Sequence, residues 1–232
     1  MDVEKLFDRM DAWRHFPNYQ LERRADLLFS LYLPQVLSQE ARETVCEEIA
    51  PEFPIRIGTI YSDKPTERSY KIDYLAVSES GKRAFLVELK TDGASRRESQ
   101  DSYLLASAAA GMTPLLEGLL EIFRVTQAKR KYYCLLEQLA AMGLLSLPDE
   151  LRTIVHTPTL LGVNEASRRV KITSAVENCE VLYIQPKGSG VGVISFEDFA
   201  ARIEGNQDRV ASRFARSLRE WSSVEAGRRE FI

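Results

Sequence analysis

A chain of 232 residues, 44% apolar and 28% charged, has the composition of a soluble globular protein with room for one good core and a helical appendage. Its formal net charge of −3 excludes a surface that is basic all round, but not a local basic cleft. No apolar stretch reaches the length of a membrane span, and Met1-Asp2-Val3-Glu4 lacks the basic start of a secretory leader, so a cytoplasmic protein with no membrane partner is expected.

Residues 2 to 17 read as a helix with Leu6, Met10 and Trp13 on one face, stopped at Pro17. Residues 19 to 33 form a second helical run that Pro34 closes, so 1–34 is expected to be an N-terminal helical cap. A third helix is predicted over 35–50, with Leu37, Ala41, Val45 and Ile49 along one stripe. Glu48 falls on that stripe, and a carboxylate on an apolar face needs a partner. Residues 53 to 62 read as the first core strand.

Two strongly β-like runs follow, Tyr70 to Ser78 and Arg83 to Lys90, around the turn Glu79-Ser80-Gly81-Lys82. With Ser80 and Gly81 at the tip of an antiparallel hairpin, the numbers of paired residues sum to 161, which sets Asp73 opposite Glu88. Directly opposed residues share a face with Cβ atoms roughly 5 Å apart. Lys90 shares that face, because side-chain direction alternates with period two. Facing carboxylates are unfavourable unless something offsets them, and a hard divalent cation with oxygen ligands is the natural offset. The plainer reading is a pair of solvent-facing strand residues at Glu88 and Lys90, with Asp73 paired to Lys71 or Lys90.

Ser95 and Glu98 form a capping box for a helix from Arg96 to about Gly111. Gln100 lies one turn before Leu104 and so faces inward near the hairpin's charged face, while Arg96 and Arg97 stand at the helix start. A long helical stretch over 114–143 carries Arg124 and Lys129 to Lys131 beside Tyr132 and Tyr133, within a mid-chain insertion near 113–150. The segment 151–179 has no clear period; Arg168 to Lys171 make a further basic patch there. Residues 180 to 185 and Val191 to Ser195 read as late core strands, and Ser195 with Asp198 caps a helix from Phe196 to Ile203. A final amphipathic helix over 204–232 carries Val210, Phe214, Leu218 and Trp221, with Arg209, Arg213, Arg216 and Arg219 outward, facing solvent or the second subunit of a homodimer. Gly188-Ser189-Gly190-Val191-Gly192 lacks the lysine and the strand-to-helix setting of a phosphate loop. Three scattered cysteines and two histidines form no metal-binding spacing.

Asp73, followed after fourteen intervening residues by Glu88-Leu89-Lys90, resembles the signature of the PD-(D/E)XK nuclease superfamily, with Ile72-Asp73 in place of Pro-Asp. The resemblance covers residues 40 to 110 well and 180 to 203 loosely. It implies an α/β fold with a restriction-endonuclease-like mixed central sheet flanked by helices, the core running over 35–203 with extra helices at the termini and in the insertion. It implies metal-dependent hydrolysis of nucleic acid, DNA in the first instance. Asp73, Glu88 and the backbone carbonyl of Leu89 would hold Mg²⁺ or Mn²⁺, with Glu48 assisting from the first core helix. Lys90 would orient or help deprotonate the attacking water and stabilise charge on the phosphate. Gln100 would touch the metal water, and Arg96, Arg97 and Tyr103 the substrate phosphates. The other class of protein that the same residues admit is a non-catalytic nucleic-acid-binding or protein-interaction module that keeps the fold.

Overall fold

The computed structural model describes residues 2–63, 66, 68–91, 98–206 and 208–223. Along the chain these form α1 (Val3–Trp13), α2 (Leu21–Ala41), β1 (Ala50–Arg56), α3 (Ile57–Ile60), β2 (Ser69–Val77) and β3 (Arg83–Leu89). Next come α4 (Glu98–Ala110), α5 (Met112–Val125), α6 (Lys129–Ala141), β4 (Leu145–Ser146), α7 (Asp149–Val155) and α8 (Val163–Ser167). The chain ends through β5 (Lys171–Ile172), β6 (Asn178–Gln185), β7 (Val193–Ser195), α9 (Phe196–Ile203) and α10 (Arg209–Ser223). The fold is mixed α/β: a five-stranded sheet of order β1-β2-β3-β6-β7, flanked by helices, with β4 and β5 paired separately.

β1 and β2 are antiparallel, and β6 and β7 are parallel. Asn178 N–H donates to Lys82 O at 3.1 Å, and Lys90 N–H to Ile184 O at 2.8 Å. Both contacts advance in the same sense, so β6 runs parallel to β3. Parallel strands ordinarily need a connection of a dozen residues or more. Here 186–192 suffices, because Gly188, Gly190 and Gly192 all take positive φ. That backbone demand accounts for the glycine-rich motif.

The chain divides into two compact units, each drawn from separated segments. One comprises Met1–Val45, Val87–Gln100 and Leu182–Ile232. Its core is aromatic: the Phe214 ring packs on Phe29 at 5.0 Å, Phe7 and Trp221 at 6.0 Å and Phe199 at 6.2 Å. α2 does not stop at Pro34 but runs through it, burying Phe29, Leu33, Val36 and Leu37. That packing offsets the backbone bond a proline removes, a loss of roughly 3 kcal/mol. The helix ends at Arg42, in the left-handed region at φ 53°. The predicted helix over 35–50 is therefore corrected: α2 supplies its first half, and 43–49 is an irregular lead into β1. A second correction concerns α10. Arg213 is not outward; it is 4% exposed. It reaches Glu4 at 3.0 Å, Asp8 at 2.8 Å and Asp11 at 2.7 Å, clamping α10 to α1.

The other unit comprises Cys46–Leu86 and Asp101–Val181. α5 packs its buried face of Leu115, Leu119, Ile122 and Phe123 toward β1. The predicted single helix over 114–143 is two, broken at 126–128. At the break Lys129 Nζ donates to Arg124 O at 2.6 Å, and burial lowers its pKa below the usual lysine value. A lysine on the last carbonyls of a helix supplies what the helix end lacks.

Candidate active site

The hairpin is closed by Ser78 N–H donating to Arg83 O at 2.9 Å. Inside it, Gly81 N–H donates to Ser78 O at 2.8 Å, and Gly81 takes φ 72°. The loop is thus 79–82, longer than a two-residue tip, yet Ser78 and Arg83 carry the expected sum of 161. β2, which carries Asp73, and β3, which carries Glu88, are neighbours in the sheet.

At the end of β3 three polar side chains converge. Glu88 is 2% exposed and Lys90 6% exposed. Lys90 Nζ donates to Glu88 Oε1 at 2.7 Å. Gln100, in the first turn of α4, donates its amide to the same oxygen. Two-residue spacing along an extended backbone puts Glu88 and Lys90 on one face, and the Lys90 N–H bond to Ile184 O keeps that backbone extended past Leu89. Buried charges are tolerated when paired and hydrogen-bonded. Charge-assisted bonds of this kind are also the strong ones.

Asp73 is half-buried on β2, between buried Ile72 and Tyr74. The β1–β2 register sets it across from Glu52, whose φ of 51° lies in the left-handed region. Glu52 takes Lys71 as its ion-pair partner at 2.7 Å. Tyr103 is 7% exposed, stacks on Tyr70 at 4.4 Å and donates to Lys71 O at 3.2 Å. Glu48 is corrected: it lies exposed in the lead into β1, not on a helix stripe, because α2 has ended before it. Arg96 and Arg97, and the capping box from Ser95, lie outside the described residues. Among the described residues no three His, Cys, Asp or Glu side chains cluster as a metal site. Nor is any single described helix long and apolar enough to cross a membrane.

The other two basic patches are largely committed within the fold. Arg124 pairs with Glu121, and Arg130 donates to the carbonyls of Val155 at 3.1 Å and Thr157 at 2.8 Å. Arg168 pairs with Glu165 and Arg169 with Glu150. Sequence reasoning passed over Arg14, Tyr19 and Arg23, which line a cavity together with Thr91. No periodicity or motif marks them, since they come from two helix ends and a strand end. No family model, characterised protein or solved structure matches the chain.

Proposed function

We propose that this protein is a divalent-metal-dependent nuclease that hydrolyses phosphodiester bonds of nucleic acid, DNA in the first instance, on a restriction-endonuclease-like core. The observation that carries the reading is the buried cluster of Glu88, Lys90 and Gln100 at the end of a hairpin strand. Asp73 joins it in this reading as the first acidic residue of the signature that the chain resembles. The donor chemistry fits the metal, since Asp73, Glu88 and the Leu89 carbonyl offer only hard oxygen atoms, which suit Mg²⁺ or Mn²⁺. Such an ion, when bound, supplies an activated water and polarises the phosphate. Gln100 holds the Glu88 carboxylate in one orientation. Lys90, beside Glu88, would supply the positive charge that stabilises the phosphate in the transition state.

The closed 2.7 Å pair of Lys90 and Glu88 also supports a second reading, a non-catalytic nucleic-acid-binding module in which the pair is structural. Cleavage assays separate them. Purified protein with Mg²⁺ or Mn²⁺ is expected to cut a DNA substrate, and Lys90→Ala to lower the rate about 10²-fold or more while the circular dichroism spectrum is kept. Equal cleavage by the variant contradicts the site.

A further inference from the structure

The first two helices leave large apolar side chains in water. Leu27 on α2 is 73% exposed and Leu31 63%; Phe16, just past α1, is 57% exposed, and Leu6 and Trp13 on α1 are exposed as well. Helical spacing sets Leu6, Arg9 and Trp13 in one row on α1, and Arg24, Leu27 and Leu31 in one row on α2. The rows join through Tyr19, which meets Trp13 edge-on at 6.3 Å and carries the Arg24 guanidinium over its ring at 5.9 Å. Both rows lie within the first unit, and the other faces of the helices, Phe7 and Met10 on α1 and Phe29 and Leu33 on α2, are already buried. We propose that this continuous face docks an acidic amphipathic helix of a partner protein, its apolar anchors seated on the leucines and aromatics and its carboxylates on Arg9 and Arg24. The inference is independent of the nuclease reading.

Single exposed leucines need no explanation, but a contiguous apolar face with a polar rim marks an interaction site. The charge of the rim identifies the occupant. Lys5, Arg9 and Arg24 form no ion pair among the described residues. The carboxylates beside them are committed. Glu4 and Asp8 on α1 pair with Arg213 at 3.0 and 2.8 Å, and Glu22 and Asp26 on α2 are engaged as well. The uncommitted charge of the rim is therefore positive. A second copy docked about a two-fold axis would set these cations against their own kind. A flat anionic bilayer would meet Asp8 and Asp26 together with the arginines, whereas a folded partner can place carboxylates on the guanidiniums alone. Arg9 lies over the Trp13 ring at 5.6 Å, as Arg24 does over Tyr19, so both guanidiniums rest on aromatic faces before anything binds. Tryptophan, tyrosine and arginine so arranged are what the energetic centres of protein interfaces contain. Rows of apolar side chains at helical spacing match the anchors of an amphipathic helix.

The test uses a fluorescein-labelled synthetic helical peptide with leucine along one face and glutamate along the other, and a twin in which lysine replaces every glutamate. Fluorescence anisotropy compares the wild-type protein with the double variants Leu27→Ser/Leu31→Ser and Arg9→Glu/Arg24→Glu over a range of salt. All four residues are exposed, so the fold should survive the changes, and circular dichroism checks it. The acidic peptide is expected to bind wild type about tenfold or more tighter than its lysine twin, with an affinity that falls as salt rises. Each double variant should lose about tenfold or more, and the arginine variant should reverse the preference between the twins. Absence of wild-type binding, or equal binding of the twins, overturns the proposal. So does co-sedimentation of wild type with phosphatidylserine and phosphatidylcholine vesicles that the leucine variant loses, which assigns the face to a bilayer. A dimer in light scattering that the leucine variant dissociates assigns it to a second copy and overturns the proposal equally.

Discussion

Gln100 tests the buried cluster without touching either charge. Its amide shares Glu88 Oε1 with the Lys90 ammonium. Gln100→Leu keeps the bulk and removes the donor. A hydrogen bond to a charged group contributes about 1.5–3 kcal/mol, so a urea midpoint should fall by that equivalent and cleavage by roughly tenfold or more. Gln100→Glu adds a like charge beside Glu88 and should lose more on both measurements. A variant with full stability and full rate would detach Gln100 from the site. The approach of this residue to Glu88 was legible because helix spacing from Leu104 fixes its direction, and the face that Glu88 shares with Lys90 because strand side chains alternate with period two. Glu48 was not legible. Its placement depends on where α2 ends, and α2 ends at Arg42, a residue with none of the glycine or asparagine preference for a left-handed cap.

At the scale of elements, polar clamps tie helices together in the first unit. Arg213, Asp11, Ser217 and the Trp221 indole form a buried network between α1 and α10. Removing one partner of a buried ion pair typically costs about 3–5 kcal/mol, so Arg213→Ala should lower the unfolding free energy by that order, read from urea titration. A loss under about 1 kcal/mol would mean solvent already satisfies those carboxylates. A second clamp has a pH signature. The Tyr32 hydroxyl donates to Asp208 at 2.6 Å and holds that carboxyl below the usual carboxylate range. The folded state therefore takes up its proton at lower pH than the unfolded chain. Its stabilisation is complete above the unfolded value of about 3.9 and fades as pH falls through the folded one. Asp208→Asn should be less stable than wild type at neutral pH, with the difference closing in acid; a difference constant from pH 7 to pH 3 would refute the linkage. The Ser195–Asp198 capping box on α9 was readable in sequence and is present in full. The break between α5 and α6 was not. Thr126-Gln127-Ala128 contains no glycine or proline, and a tertiary contact, Lys129 on the α5 carbonyls, marks the place.

At the scale of the molecule, the strand hairpin and most of the helical runs followed from period and turn chemistry, whereas the mixed α/β sheet was expected from the family resemblance. The two units followed from neither, because each is assembled from segments far apart in sequence, and no linker or shift in composition marks the exchange. Charge was informative only in part. A net charge of −3 calls for a local basic site, but which cations are committed to ion pairs is a tertiary property. The central claim is that Asp73 and Glu88 together hold one divalent cation. Isothermal titration of Mn²⁺ into wild type, Asp73→Asn and Glu88→Gln, with circular dichroism to confirm the fold, tests it most directly. The account predicts a single binding event in wild type that either substitution abolishes; wild-type affinity retained in Asp73→Asn would contradict it.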